Sequence, residues 1–339
     1  METVVIIGAG PCGLSAAAEL KEAGIDALVV DKGSLVHSIS RYPTHLTFHS
    51  TPELLEIGGV PFVTPNEKPT RLEGLTYYRT VVERKGLRVR TYVEVTAVTR
   101  TETGFELRLQ DRFGRESSLA ARHVILATGY FDHPNELGIP GEPLPKVSHY
   151  YTEAHPYAGQ KIVIVGGNNS AMDAVLELVR VQAEVTLVYR GSGLSRYVKA
   201  WTRPLIEGLM DKGRIRALFE SELKEIREDE VCVRDKEGRE EWLDNDFVLA
   251  MTGFRPDRRL LQNAGVQVLE ETGAPWYDPE TMQTNVPGFY IAGVVATGSR
   301  ANEIFIETGR HHGRLIARDL AGAYLQPPGV VEVREHEQE

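Results

Sequence analysis

Cysteine is almost absent from this chain of 339 residues, and the two that occur, Cys12 and Cys232, stand far apart with no Cys-x-x-Cys anywhere. That spacing excludes an internal dithiol relay of the usual kind and leaves no clustered Cys/His set of the sort a zinc ion needs, so no metal is expected. Long apolar runs are missing too. Nothing approaches the roughly 20 residues that span a bilayer, and the chain opens directly on a strand, so no membrane association and a cytoplasmic location are expected. A basic block is also lacking: 38 basic residues against 48 acidic ones give a formal charge of -10, which argues against nucleic acid as a partner. Low-complexity sequence is confined to the polar end after Pro327, and residues 326–339 are expected to form a flexible tail.

What the chain does contain is glycine in two patterned places. Gly8-Ala9-Gly10-Pro11-Cys12-Gly13 follows the apolar run Val4-Val5-Ile6-Ile7 and opens a helical stretch, Leu14 to Ala23, that ends at Gly24. Gly8 permits a tight turn, Gly10 lets the backbone approach a pyrophosphate, and Gly13 lets the helix pack closely on the strand. The phosphate charge is met by N–H groups at the positive end of the helix. A second strand, Ala27-Leu28-Val29-Val30, runs into Asp31 and Lys32, and an acid at that place hydrogen-bonds an adenosine ribose.

The plan recurs near the middle. Lys161 to Val165 reads as a strand, Gly166-Gly167-Asn168-Asn169-Ser170-Ala171 as the turn, Ser170 to Val181 as the helix, and Glu184 to Val188 as the next strand. Asn168 replaces the middle glycine. This second strand ends in Tyr189-Arg190 instead of an acid; a carboxylate there would repel a ribose 2′-phosphate, whereas an arginine pairs with it. NADPH is therefore expected over NADH, with Ser192 and Arg196 as further candidate contacts and Gly253 at the end of a later strand. Two dinucleotide turns in one chain imply a flavin and a nicotinamide held together for hydride exchange.

The expected architecture is α/β: two Rossmann-like dinucleotide-binding domains, three-layer ββα in type, an FAD domain with an NADPH domain inserted into it. At 339 residues the chain exceeds what one core usually supports. Residues 1–153 and 246–325 are assigned to the FAD domain and 154–245 to the NADPH domain. Between and after the glycine turns, residues 72–85 look helical, Arg88 to Val98 and Gly104 to Gln110 look like strands around the turn 111–114, and Leu223 to Trp242 looks like a hairpin. Val124-Ile125-Leu126-Ala127-Thr128-Gly129 is echoed by Phe247-Val248-Leu249-Ala250-Met251-Thr252-Gly253.

The motifs GAGPCG, ILATGY, VGGNNSAMDA, MTGFRPD and TNVPGFYIAG occur in the order found in flavoproteins with two dinucleotide-binding domains, and the chain resembles the group that holds the low-molecular-weight thioredoxin reductases almost end to end. Within that group, residues 41–62, 68–79 and 295–313 closely resemble the bacillithiol-disulfide reductases, also called bacilliredoxin reductases. The resemblance implies FAD, NADPH, hydride passage from NADPH to FAD, and two electrons delivered to a low-molecular-weight thiol disulfide or a bacilliredoxin-like protein by a homo-oligomer, dimer or tetramer. It places Gly8, Gly10, Pro11, Cys12, Gly13, Asp31 and Lys32 on the ADP half of FAD, Thr128, Gly129 and Gly293 close to the cofactor, and Asn302, Glu303 and Ile304 where a helix start meets the flavin ring. The group's pattern normally runs Gly-Asp, but here Gly293 is followed by Val294.

Two readings of Cys12 stand side by side. At a helix start the dipole lowers a thiol pKa, and such a thiolate could attack a substrate disulfide; alternatively, Cys12 is a small residue filling a tight turn. Cys232, in the alternation Val231-Cys232-Val233, reads as a strand residue. Among the histidines, His45 and His49 in the subfamily-like loop are the better acid/base candidates, ahead of His149, His311 and His312. Rival functions are a ferredoxin- or flavodoxin-NADP reductase, which also lacks Cys-x-x-Cys, a flavin monooxygenase, whose Phe-x-Gly-x-x-x-His fingerprint is absent here, and a non-catalytic nicotinamide-binding protein.

Overall fold

The computed structural model describes residues 1–298 and 303–325; the expected tail and Asn302 lie outside the described residues. The strands run β1 (Glu2–Ile7), β2 (Ala27–Val30), β3 (Arg88–Arg90), β4 (Val93–Thr101), β5 (Gly104–Asp111), β6 (Glu116–Leu126), β7 (Val147–Ser148), β8 (Lys161–Val165), β9 (Glu184–Tyr189), β10 (Ile215–Phe219), β11 (Ser221–Ile226), β12 (Glu230–Asp235), β13 (Glu240–Asp244), β14 (Phe247–Ala250) and β15 (Phe289–Ile291). They fall into two compact units. Of the described residues, unit 1 takes 1–40, 47–132, 255–298 and 303–325; unit 2 takes 41–46 and 133–254.

In unit 1 a sheet of order β3-β2-β1-β6 is parallel throughout, and β15 adds to it by pairing with β6 in parallel. The apolar runs of β1 and β2 are buried on both faces, as strands covered on two sides must be. β6 is long enough to join the parallel and antiparallel parts of one seven-stranded sheet. Its second half lies between β1 and β15, while its first half pairs antiparallel with β5, which pairs with β4. That meander and the helices give the ββα layering. The first helix, Pro11–Glu22, carries proline in its first turn, where a missing N–H costs nothing. It packs on the late helix His312–Leu325 so closely that a Cβ on Gly313 would come within 2.6 Å of Ala16 Cα.

The alternation from Arg88 to Val98 is not one strand. Tyr92 takes φ +59, which breaks the extended run into β3 of the parallel sheet and β4 of the meander. The break is held by backbone bonds from Tyr92 N–H to Gly33 O and from Val93 N–H to Asp31 O. The first two stretches resembling one subfamily, 41–62 and 68–79, pack on each other. The helix Arg71–Lys85 starts on a capping box of Thr70 and Glu73. From this helix Tyr77 accepts the Ile57 N–H at 2.8 Å and donates to Val60 O at 2.7 Å, while its ring stacks on Phe62 at 4.2 Å.

Unit 2 holds a parallel sheet of order β10-β9-β8-β14-β7 and a separate antiparallel meander β11-β12-β13, so the expected hairpin at 223–242 has a third strand. Its division from unit 1 lies at 132/133 and 254/255, outside the expected 153/154 and 245/246. Two contacts account for this. β7 pairs with β14, which draws Val147 and Ser148 into the inserted sheet. The entering and leaving segments also bond to one another: Pro134 bridges Phe254, and Asn135 N–H donates to Gly253 O at 2.9 Å. Among the described residues no helix is long and apolar enough to cross a membrane, and no cluster of three or more metal-ligating side chains occurs.

Candidate functional site

The first glycine turn joins β1 to the helix Pro11–Glu22, and its three glycines have different reasons. Gly8 has φ +111, and a Cβ there would lie 2.4 Å from Ala127 O; Gly13 is blocked by Gly8 O at 2.0 Å. Both are demanded by the protein's own packing. Around Gly10, whose backbone is ordinary extended chain, a Cβ would meet nothing within 4 Å. Its missing side chain leaves open the space a pyrophosphate needs to cross the helix start, so the turn fits FAD. Asp31 binds the turn itself: Oδ2 accepts the Ala9 N–H at 2.6 Å and Oδ1 the Gly33 N–H at 2.7 Å, which ties the turn to the end of β2. Burial raises its carboxyl pKa against the pull of these two bonds. Lys32 pairs with Asp132 at 3.1 Å. Thr128 and Gly129 follow Ala127 at the same strand end, with Gly129 at φ +70.

Cys12, Gly293 and Ile304 converge within unit 1 around Gly309. A Cβ on Gly309 would meet Cys12 Sγ at 2.8 Å, Gly293 Cα at 3.1 Å and Ile304 Cγ2 at 3.1 Å, and one on Gly293 would meet Sγ at 2.9 Å. The thiol is wedged between two glycines, and burial pushes it up to about 12, opposite to the lowering expected from the helix start. Desolvation outweighs the dipole here. This geometry favours the packing reading of Cys12. Cys232 is 2 % exposed in β12, and burial raises its thiol as well. Iodoacetamide at pH 8 is therefore expected to label the half-buried Cys12 slowly and Cys232 not at all in the native protein, and both after denaturation, read by intact mass; native labelling of Cys12 as fast as in the denatured chain would contradict its raised pKa.

His312, at the start of the late helix, accepts the Gly293 N–H on Nδ1 at 3.1 Å. Burial, with His311 adding to it, lowers its pKa to about 4. Because the unfolded chain takes up a proton near 6.5, this group's contribution to stability is complete above that value and is lost as pH falls from 6.5 towards 4. His312→Gln is expected to flatten the pH dependence of Tm in that window. Nothing in the sequence pattern marked this contact. Val294, where the family's acid is missing, follows as part of a short 3-10 turn, Gly293–Thr297.

The second turn repeats the first. Gly166 has φ +144 and a Cβ there would lie 2.4 Å from Met251 O, just as Gly8 faces Ala127 O. The echo between residues 124–129 and 247–253 thus has a cause: in each unit the end of a neighbouring strand closes over the first glycine. Asn168 takes the extended conformation of Gly10, which any residue adopts. Gly167 is covered by the Tyr189 ring, 2.5 Å from a Cβ placed there, and Ala171 is 1 % exposed. Ser170 lies in the first turn of the helix Asn169–Arg180, Ser192 is exposed, and Gly253 takes φ +85 beside Asn135. Arg190 lines a cavity of about 390 Å³ with Ser221, Arg234 and Lys236. Arg234 is paired with Glu222 and Lys236 with Glu220, whereas Arg190 has no carboxylate partner among the described residues. Arg196 donates to the Tyr197 hydroxyl at 2.7 Å.

His45 and His49 are not brought into one unit. His45 lies edge-on to Tyr151 at 6.2 Å and near Asp173, whose carboxyl is pushed up to about 6 by burial, with His45 opposing and Glu177 adding to the rise.

The family model "Pyridine nucleotide-disulphide oxidoreductase" matches residues 5–293. The bacilliredoxin reductase Bdr of Bacillus subtilis is 50% identical over 323 residues, covering 94% of this chain and 98% of that protein. Among solved structures, the bacillithiol disulfide reductase Bdr from Bacillus cereus superimposes with a TM-score of 0.93 at 46% identity, covering 95% of this chain and 99% of that one. The Staphylococcus aureus counterpart gives 0.90 at 42%, covering 96% and 99%.

Proposed function

We propose, since this chain belongs to the pyridine nucleotide-disulphide oxidoreductase family, that it is an NADPH-dependent, FAD-containing reductase whose acceptor is a low-molecular-weight thiol disulfide of the bacillithiol kind or a bacilliredoxin-like protein. The reading is carried by two glycine turns built on one plan in a chain with only two cysteines and no Cys-x-x-Cys. FAD is placed at Gly8, Gly10, Gly13 and Asp31 of unit 1, and NADPH at Gly166 to Ala171 and Arg190 of unit 2. When bound, the two cofactors supply the two-electron redox chemistry. The chain's own residues hold and orient them: N–H groups at two helix starts face phosphate, Asp31 and Arg190 face the two riboses, and the two thiols, one wedged between glycines and one inside a strand, stay out of the electron path. Work in the cytoplasm as a homo-oligomer completes the proposal.

Anaerobic titration of the yellow protein with NADPH, followed by bacillithiol disulfide, tests it. Bleaching of the flavin band and its return on adding the disulfide are expected. Return only with ferredoxin or flavodoxin would put the reductase of one-electron proteins in its place, and tight NADPH binding without bleaching would leave a non-catalytic binder.

A further inference from the structure

The segment from Arg190 to Trp201 leaves β9 at the edge of the second glycine turn and carries three cations: Arg190, Arg196 and Lys199. None has a carboxylate partner among the described residues. A long surface segment of this kind needs something to hold it, and the structure shows what does. Asn169, expected from the sequence to touch the cofactor, uses its side-chain amide on the protein instead. Nδ2 donates to Tyr197 O at 3.0 Å and Oδ1 accepts the Lys199 N–H at 3.0 Å. The orientation of the amide follows from its partners, one a carbonyl and the other an N–H. Ser195 N–H reaches Gly167 O at 3.3 Å, Arg203 donates to Ser195 O at 2.7 Å, and Val198 is 5 % exposed in the core between them.

Resting on the NADPH reading above, we infer that Asn169 is the positioning residue for nucleotide selectivity: it bolts the cation-bearing segment to the phosphate turn, so that Arg190, Arg196 and Lys199 are held for the ribose 2′-phosphate. Lys199, which no motif singled out, becomes the third cation of that set. The cation side chains then give up little freedom on binding, since the backbone beneath two of them is already fixed at the turn.

The test is equilibrium binding of NADP+ and NAD+, and of 2′-AMP as a probe of the 2′-phosphate alone, to the FAD-loaded protein carrying Asn169→Ala. Alanine is well tolerated in the first turn of a helix, and a Tm close to wild type checks that the fold is kept. NADP+ and 2′-AMP are expected to weaken about tenfold, from the reordering of long side chains, with NAD+ unchanged and amide exchange at Lys199 faster. Equal weakening of NADP+ and NAD+ would overturn the inference and return Asn169 to the pyrophosphate; no weakening at all would overturn it too. Arg190→Ala separates the two levels. If wild type does not prefer NADP+ and Arg190→Ala changes nothing, the NADPH reading itself fails; if Arg190→Ala abolishes the preference while Asn169→Ala spares it, only the positioning role of Asn169 fails.

Discussion

Gly8→Ala is expected to cost about 4 kcal/mol or more, at the extreme of single substitutions, and to yield protein without flavin. Two independent effects add. A residue with a Cβ is strained at φ +111, and that Cβ would sit 2.4 Å from Ala127 O and 2.7 Å from Ala127 C, backbone atoms that cannot rotate aside. Ala127 is itself fixed, since its N–H donates to Ile7 O at 2.8 Å. Relief would require parting β1 from β6 at the centre of the parallel sheet. Gly10→Ala supplies the contrast. With open space at that position, the variant is expected to melt like flavin-free wild type yet fail to take up flavin, because the added methyl stands where the pyrophosphate passes. Thermal melting and the flavin-to-protein absorbance ratio on both variants check the pair. A Gly10→Ala protein that keeps its full flavin would show that the pyrophosphate runs elsewhere.

Arg190→Ala is expected to raise the Kd for NADPH by roughly 10- to 100-fold, or about 1.4–2.8 kcal/mol, the range of a lost charge-assisted contact, and to leave NADH within about twofold. The side chain is exposed at the end of β9 and is without a carboxylate to satisfy, so its removal disturbs no internal pairing and Tm is expected to stay level. The loss is also expected to shrink as salt rises, since the interaction is between charges near water. Tryptophan-fluorescence titration at low and high salt reads both features. A parallel loss for NADH would mean that Arg190 meets a phosphate common to both nucleotides.

Local patterns made much of this fold legible. β2 and β8 lie where the apolar runs put them, and the first helix begins three residues before the apolar stretch because Pro11 fits a first helical turn. What escaped notice depends on contacts between distant residues. The break at Tyr92 is set by Asp31 and Gly33, far back in the sequence, and no alternation of side chains records it. Residues 41–46 pack with unit 2 although they are flanked by unit 1 on both sides. At the site, Gly8, Gly13 and Gly166 were readable because backbone geometry dictates their type. The behaviour of Cys12 was not: a thiol at a helix start reads as activated until Gly293 and Gly309 are seen to enclose it. His312 and Asn169 were hidden for the same reason, since each acts through a partner that lies outside its own motif.

The seclusion of both sulfurs bears on how such a protein fares among oxidants. A catalyst that acts on disulfides works among reagents that capture accessible thiolates, and susceptibility to them follows thiolate character and exposure. With Cys12 half-buried, its Sγ held between two glycines, and Cys232 inside a strand, this chain gives such reagents little purchase. It is then expected to keep its activity in air without added reductant.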